Sequence, residues 1–218
     1  MTKTTPSEAV KILHILDTRY PEKGMVDFGT AEDTLIATLL SARTTDKQVV
    51  KVYADFRKAF PHLSDFAKAK VSDIEKPISS IGLYHNKARA IKGLSEKLLH
   101  EYDGKVPKTM EALTALPGVG RKTASCVLWY AFRIPAVAVD THVFRIAHRL
   151  YWAKGKTPEI VERELKALLP EREWGKINRA FVHFGRDICK APKPECWRCP
   201  VKDYCPYSPK TPQPKKTI

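Results

Sequence analysis

The 218-residue chain has no apolar run approaching the length of a bilayer, which excludes a protein anchored by spanning helices and points to a soluble one. Nothing at its N-terminus looks like a secretory signal either, because residues 1–7 are polar and no apolar h-region follows, and export is not expected. Without export, its five cysteines are free thiols in a reducing compartment, metal ligands before they are cystines. Acidic residues are scarce as well: 24 Asp and Glu against 38 Lys and Arg leave a net charge of +14. Such an excess implies a polyanionic partner. The tail after Cys205 contributes only Lys210, Lys215 and Lys216, so a basic tail does not account for the charge. No strongly cationic amphipathic helix stands out, which disfavours an anionic membrane surface and leaves nucleic acid. No internal repeat is present.

Extended segments are few, whereas helical periodicity recurs throughout. Val10, Leu13 and Leu16 form one stripe; Leu35, Ile36, Leu39 and Leu40 a second; Val49, Val50, Tyr53 and Phe56 a third, ended by Pro61. Ile91, Leu94, Leu98 and Leu99 repeat at three and four before the Asp103-Gly104 turn. Further stripes follow at Ala124, Val127, Leu128 and Ala131, at Val143, Ile146, Ala147 and Leu150, and at Ile160, Leu165, Leu168 and Leu169. Ala136-Val137-Ala138-Val139 is the best strand candidate, but so short a run between helices reads as a buried connector. The fold class is therefore all-α. Residues 208–218 are Pro- and Lys-rich, lack apolar periodicity and are expected to be disordered.

Cys189, Cys196, Cys199 and Cys205 are separated by six, two and five residues, a spacing that lets four thiolates converge on a 4Fe–4S cluster. Zinc is the competing occupant. All-cysteine zinc sites usually come as two C-x2-C knuckles, and only Cys196-Trp197-Arg198-Cys199 has that form. The fifth cysteine, Cys126, lies in an apolar helix and reads as core.

Leu116-Pro117-Gly118-Val119-Gly120-Arg121-Lys122-Thr123-Ala124 lies between two helical stripes. Gly118 and Gly120 permit positive φ and a close backbone approach. The amides of residues 119–122 are then expected to be free at a helix N-terminus, a seat for phosphate. A tight connector is the plainer reading of a P-G-x-G turn, but Arg121-Lys122 in so basic a chain favours DNA contacted through its backbone, without sequence readout. Lys122 stands in the first turn of the next helix, where a cation is disfavoured. It is either one more phosphate contact or, partly buried, an amine made nucleophilic by a lowered pKa. Asp140 precedes Thr141-His142-Val143; it reads as an N-cap, which would also hold a catalytic carboxylate rigid and ionised. His142 reads as a proton shuttle or as a satisfied structural group.

Taken in order, the hairpin, Val139-Asp140-Thr141-His142 and the cysteine spacing resemble the endonuclease III family of bifunctional DNA glycosylase/AP lyases, over roughly residues 21–205. The resemblance implies a helix–hairpin–helix glycosylase fold: a six-helix barrel at 24–134, inserted into an iron–sulfur domain made of 1–23 and 135–207. It implies Lys122 as the Schiff-base lysine and Asp140 as the catalytic aspartate, facing each other across a groove, with the four cysteines as 4Fe–4S ligands. Gly118, Val119, Gly120, Arg121 and His142 fall on the DNA-contacting segments. Ile81-Gly82-Leu83-Tyr84 is similar to the loop whose leucine wedges into the duplex, which assigns that role to Leu83. The second gap-filling position usually carries glutamine; in Leu40-Ser41-Ala42-Arg43 it is Arg43. Phe184-Gly185-Arg186 departs similarly from a His-Gly-Arg pattern. Lys190, Lys193, Arg198 and Lys202 decorate the cysteine loop as candidate phosphate contacts.

The implied activity is removal of damaged, oxidised pyrimidines from double-stranded DNA, followed by strand cleavage, by a cytoplasmic, nucleoid-associated monomer. An adenine-mismatch glycosylase typically lacks the lysine and carries a long C-terminal extension, so Lys122 and the short tail argue against it. A glycosylase for thymine mismatches or photodamage shares nearly every motif. A noncatalytic DNA-binding module with a structural metal is the rival from another class.

Overall fold

The computed structural model describes residues 4–21 and 29–214. Among them are eleven α-helices, two 3₁₀ turns and no strand, in agreement with the all-α reading. No described helix is long and apolar enough to cross a membrane. The chain divides into two compact units, one of Val26–Arg133 and one of Met1–Met25 with Ile134–Ile218. The boundary expected at residue 24 and the end of the basic tail, 215–218, lie outside the described residues.

Helices are numbered in chain order. The unit with both termini holds α1 (Pro6–Arg19), α9 (Thr141–Arg149), α10 (Pro158–Leu168) and α11 (Trp174–Asp187). α1 starts where Thr5 and Glu8 form a reciprocal capping box. Ala9, Ile12, Leu13 and Leu16 recur along one face and are buried with Val143 and Ile146 of α9 and Ile177, Phe181 and Phe184 of α11. Each of the larger side chains contributes about 1.5–3 kcal/mol on burial. Residues 136–139 are buried without strand pairing, as a connector should be. α11 also buries Arg179, whose guanidinium is ion-paired with Asp17 of α1. In the tail expected to be disordered, Thr211 accepts from the Cys196 amide at 3.0 Å and donates to the Pro194 carbonyl.

The other unit holds α2 (Ala31–Leu40), α3 (Asp46–Ala59), α4 (Leu63–Lys68), α5 (Val71–Ile78), α6 (Tyr84–Glu101), α7 (Met110–Thr114) and α8 (Arg121–Phe132). Thr30 caps α2 by accepting from the Asp33 amide at 3.0 Å. Asp33 in turn takes the Arg57 guanidinium at 2.8 Å and the Tyr53 hydroxyl at 2.8 Å. Beneath this polar layer Phe56, Phe60 and Phe66 pack with ring centroids 4.9–5.8 Å apart. The longest helix, α6, buries Ala88, Ile91, Leu94 and Leu98 at helical spacing and forms the floor on which the hairpin before α8 rests.

Candidate functional site

The hairpin runs from the end of α7 to the start of α8. Gly118 has φ +75°, and a Cβ there would lie 2.5 Å from the Ala90 Cβ of α6. Both its conformation and its packing therefore demand glycine. Pro117 lies against the bare backbone of Gly93, where an added Cβ would meet its Cγ at 3.3 Å. Gly120 departs from the expectation of positive φ: it is the extended N-cap of α8, φ −88°, and a Cβ there would meet nothing within 4 Å. The Val119 amide is likewise not available to a ligand, because it donates to the Leu116 carbonyl at 3.1 Å. The expected run of free amides therefore does not include residue 119. No side-chain hydrogen bond caps α8 and no acid stands in its first turn.

Lys122 is the second residue of α8 and is exposed, not partly buried as the lowered-pKa argument assumed. Asp140 is the N-cap of α9, its Oδ1 accepting the amides of His142 at 2.9 Å and Val143 at 2.8 Å. His142 has one ring nitrogen engaged within the fold. Its Nδ1 lies 3.1 Å from the Arg145 guanidinium, which can only donate, so Nδ1 accepts and the proton of the neutral ring is on Nε2. Burial, helped by Arg145 and Arg186 and opposed by Asp140, pulls the imidazole below its ordinary pKa. Gly185 is bare for this reason: a Cβ there would sit 2.5 Å from His142 Nδ1.

Arg43 and Leu83 stand on two neighbouring turns, both in left-handed backbone, at φ +52° and +63°. Leu83 is half exposed, at 51%, on a conformation that costs a non-glycine residue about 1–3 kcal/mol.

Cys189, Cys196, Cys199 and Cys205 line a single cavity, floored by Ile146, Leu150, Phe184 and Val201. Burial, together with the neighbouring thiols, pushes Cys199 up to about 11 and raises Cys205 as well. Among the described residues, no three His, Cys, Asp or Glu side chains close on one point as ligands of a single ion. The donor set is all thiol, which fits an iron–sulfur group. Two arginines that sequence reasoning passed over hold the loop. Arg149 donates to the Cys189 sulfur at 3.2 Å and to the carbonyls of Lys190 and Ala191, each at 2.8 Å, and Arg145 donates to the Cys189 carbonyl at 3.0 Å. They stand four apart on α9, so the i, i+4 arginine pair after the capping aspartate was the signal available. Of the loop cations expected to grip phosphate, Arg198 is engaged by Asp187 at 2.7 Å and by Glu195, and Lys190 is paired with Glu195. Lys193 and Lys202 are exposed.

Residues 36–171 match the HhH-GPD superfamily of base excision DNA repair proteins. Endonuclease III of Thermotoga maritima is 47% identical over 173 residues, 79% of this chain and 81% of the relative. A trapped endonuclease III–DNA covalent intermediate superposes with a TM-score of 0.86 at 36% identity, covering 94% of this chain and 97% of that one. A thermostable thymine-DNA glycosylase superposes at 0.80 with 27% identity, over 93% and 95%.

Proposed function

The chain belongs to the endonuclease III family of the HhH-GPD superfamily, and we propose that it excises oxidised pyrimidines from double-stranded DNA and cleaves the strand through a lysine Schiff base. It is a base excision repair DNA glycosylase and AP lyase. What carries the finer reading is the placement of Lys122: an exposed amine in the first turn of α8, directly behind a helix start left without a capping side chain. A phosphate seated at those amides brings the DNA backbone to the amine.

In the proposed reaction the target nucleotide leaves the stack, because C1′ is inaccessible within it. Neutral Lys122 Nζ donates its electron pair to C1′. The bond from C1′ to the base breaks, and the base departs with the bonding electrons and a proton. Loss of the amine protons and opening of the sugar ring give the C1′=N imine. By the family resemblance Asp140 is assigned the offset of the positive charge that develops on the sugar. Its role as N-cap supports this, because two amide donors to Oδ1 hold the carboxylate fixed. Removal of a C2′ proton then sends electrons toward the imine and expels the 3′-phosphate. Arg43 and Leu83 fill the space left in the duplex.

Cys189, Cys196, Cys199 and Cys205 are proposed to hold a 4Fe–4S cluster. A cluster spreads four sulfurs over four irons, which suits thiols that share one cavity without closing on one point. When bound, it supplies a rigid knot that fixes the loop carrying Lys193 and Lys202 for phosphate contact. The likeness to a thymine-DNA glycosylase supports a second reading of the substrate, thymine in mismatches. A panel of duplexes with oxidised pyrimidine, thymine mismatch or undamaged pairs tests both. The first reading predicts excision and nicking at oxidised pyrimidines that Lys122→Gln abolishes; excision confined to mismatched thymine overturns it.

A further inference from the structure

Lys87 is the one lysine in the core of its unit for which no carboxylate partner is seen among the described residues. It is only 5% exposed, and its ammonium donates to the Leu40 carbonyl at 2.8 Å and to the Thr44 hydroxyl at 3.0 Å. Those two acceptors bracket Arg43. Lys87's own amide donates to the Leu83 carbonyl at 3.1 Å. A single residue thus grips the turn that presents Arg43 with its side chain and the turn that presents Leu83 with its backbone. The two turns also touch directly: a Cβ on Gly82 would lie 3.4 Å from the Arg43 carbonyl, and next to them the side-chain Nε2 of Gln48 on α3 donates to the Ser80 hydroxyl at 2.9 Å.

Burying an ammonium without a counter-charge is costly, and desolvation draws Lys87 down to about 8. Part of that cost is offset because the ammonium sits at the negative end of α2, whose own last turn carries no basic residue. Stabilising one helix end does not require a buried charge, since a surface cation or a glycine cap would serve. Nor is Lys87 placed to attack DNA, because two acceptors occupy its ammonium beneath the surface. What its position does provide is rigidity shared between two strained turns.

We propose that Lys87 is a positioning residue that locks the Arg43 and Leu83 turns into one rigid wedge, the part of the surface that enters the duplex around the extruded nucleotide. The inference rests on the reading of Arg43 and Leu83 as gap-filling side chains. Two separately mobile turns would lose conformational freedom on insertion, and the lock removes that loss in advance. Contacts to intact duplex, made through phosphate, do not depend on it.

The test compares affinities for intact duplex and for duplex carrying a tetrahydrofuran abasic analogue, with 2-aminopurine beside the lesion to report unstacking. Lys87→Met keeps the stem and removes the charge. It should bind intact duplex within about twofold of wild type while losing roughly tenfold for the abasic duplex, with the unstacking signal lost. Thr44→Val, which removes one acceptor, should lose about threefold on the abasic duplex alone. Wild-type discrimination in a folded Lys87→Met, or an equal loss on both duplexes, overturns the proposal; should Lys87→Met not fold, wild-type discrimination by Thr44→Val does so. Arg43→Ala and Leu83→Ala separate the two levels. If both bind the abasic duplex as wild type does, the gap-filling reading fails and this inference with it. If both lose affinity while Lys87→Met and Thr44→Val do not, the Lys87 assignment alone is wrong.

Discussion

The guanidinium of Arg149 donates to the sulfur of Cys189 at 3.2 Å while its own carbonyl accepts from Cys205 at 3.7 Å, so one α9 residue touches the first and last thiols of the cysteine loop. Hydrogen bonds to a cluster's sulfurs and to the backbone around it govern how firmly it is held. Arg149→Met should therefore lower iron and acid-labile sulfide per protein by severalfold relative to wild type and lower the melting temperature. Iron and sulfide analysis alongside thermal denaturation checks both. Unchanged stoichiometry would show that the loop orders itself without the arginine.

The two hairpin glycines should separate cleanly. Gly118→Ala forces a left-handed alanine against Ala90 at 2.5 Å and should cost about 2–3 kcal/mol of stability. Gly120→Ala meets open space on extended backbone and should change stability by less than about 0.5 kcal/mol. The methyl group would instead occupy the approach to the α8 amides, weakening binding to intact duplex roughly tenfold. Urea denaturation and fluorescence anisotropy of labelled duplex read the two effects.

Asp140 can be divided into its cap and its charge. Asparagine caps a helix about as well as aspartate, so Asp140→Asn should leave stability within about 0.5 kcal/mol of wild type while lowering single-turnover base excision by roughly a hundredfold. Asp140→Ala should lose a similar activity and a further ~1 kcal/mol of stability. Wild-type excision by Asp140→Asn would reduce the residue to a structural cap.

His142 should give the fold a pH dependence of known sign. Burial holds its folded pKa below the ordinary value, so the unfolded chain binds a proton more readily than the folded one. Its contribution is then complete above about pH 6.5, the unperturbed histidine value, and is lost as acidification proceeds through the folded pKa. Protonation also sets a cation against the Arg145 guanidinium 3.1 Å away. In denaturation series from pH 8 to 5, His142→Asn should show a shallower loss of stability than wild type; parallel curves would contradict the assignment.

Much of the fold was legible because the long helices bury regular stripes. Leu13 and Leu16 on α1, and Ile91, Leu94 and Leu98 on α6, are core residues at the spacing the sequence displays, whereas Val10 is only half-buried, with Ala9 and Ile12 filling the core in its place, and Leu99 is exposed. α4 and α5 were not legible, being six and eight residues long, one of them with Pro77 inside. α11 escaped notice because its buried face includes Arg179, Gly175 and Gly185, residues that read as a polar or breaking pattern until Asp17 and the His142 ring are seen against them. The hairpin announced itself through Pro117 and Gly118, but Gly120 looked equivalent and is not, since φ is a property of the fold rather than of the residue type. Lys87 was invisible for the same kind of reason. In Tyr84-His85-Asn86-Lys87 nothing marks one lysine as buried, and only the Leu40 carbonyl and Thr44, more than forty residues upstream, reveal its use.

The central claim is that Lys122 forms the bond to the sugar. Borohydride reduction of the protein with an abasic duplex, followed by proteolysis and mass spectrometry of the DNA–peptide adduct, addresses it directly. The adduct is predicted on the peptide containing Lys122 and should be absent from Lys122→Gln, which still binds the duplex. An adduct of equal yield in that variant, or one mapped to another lysine, would contradict it.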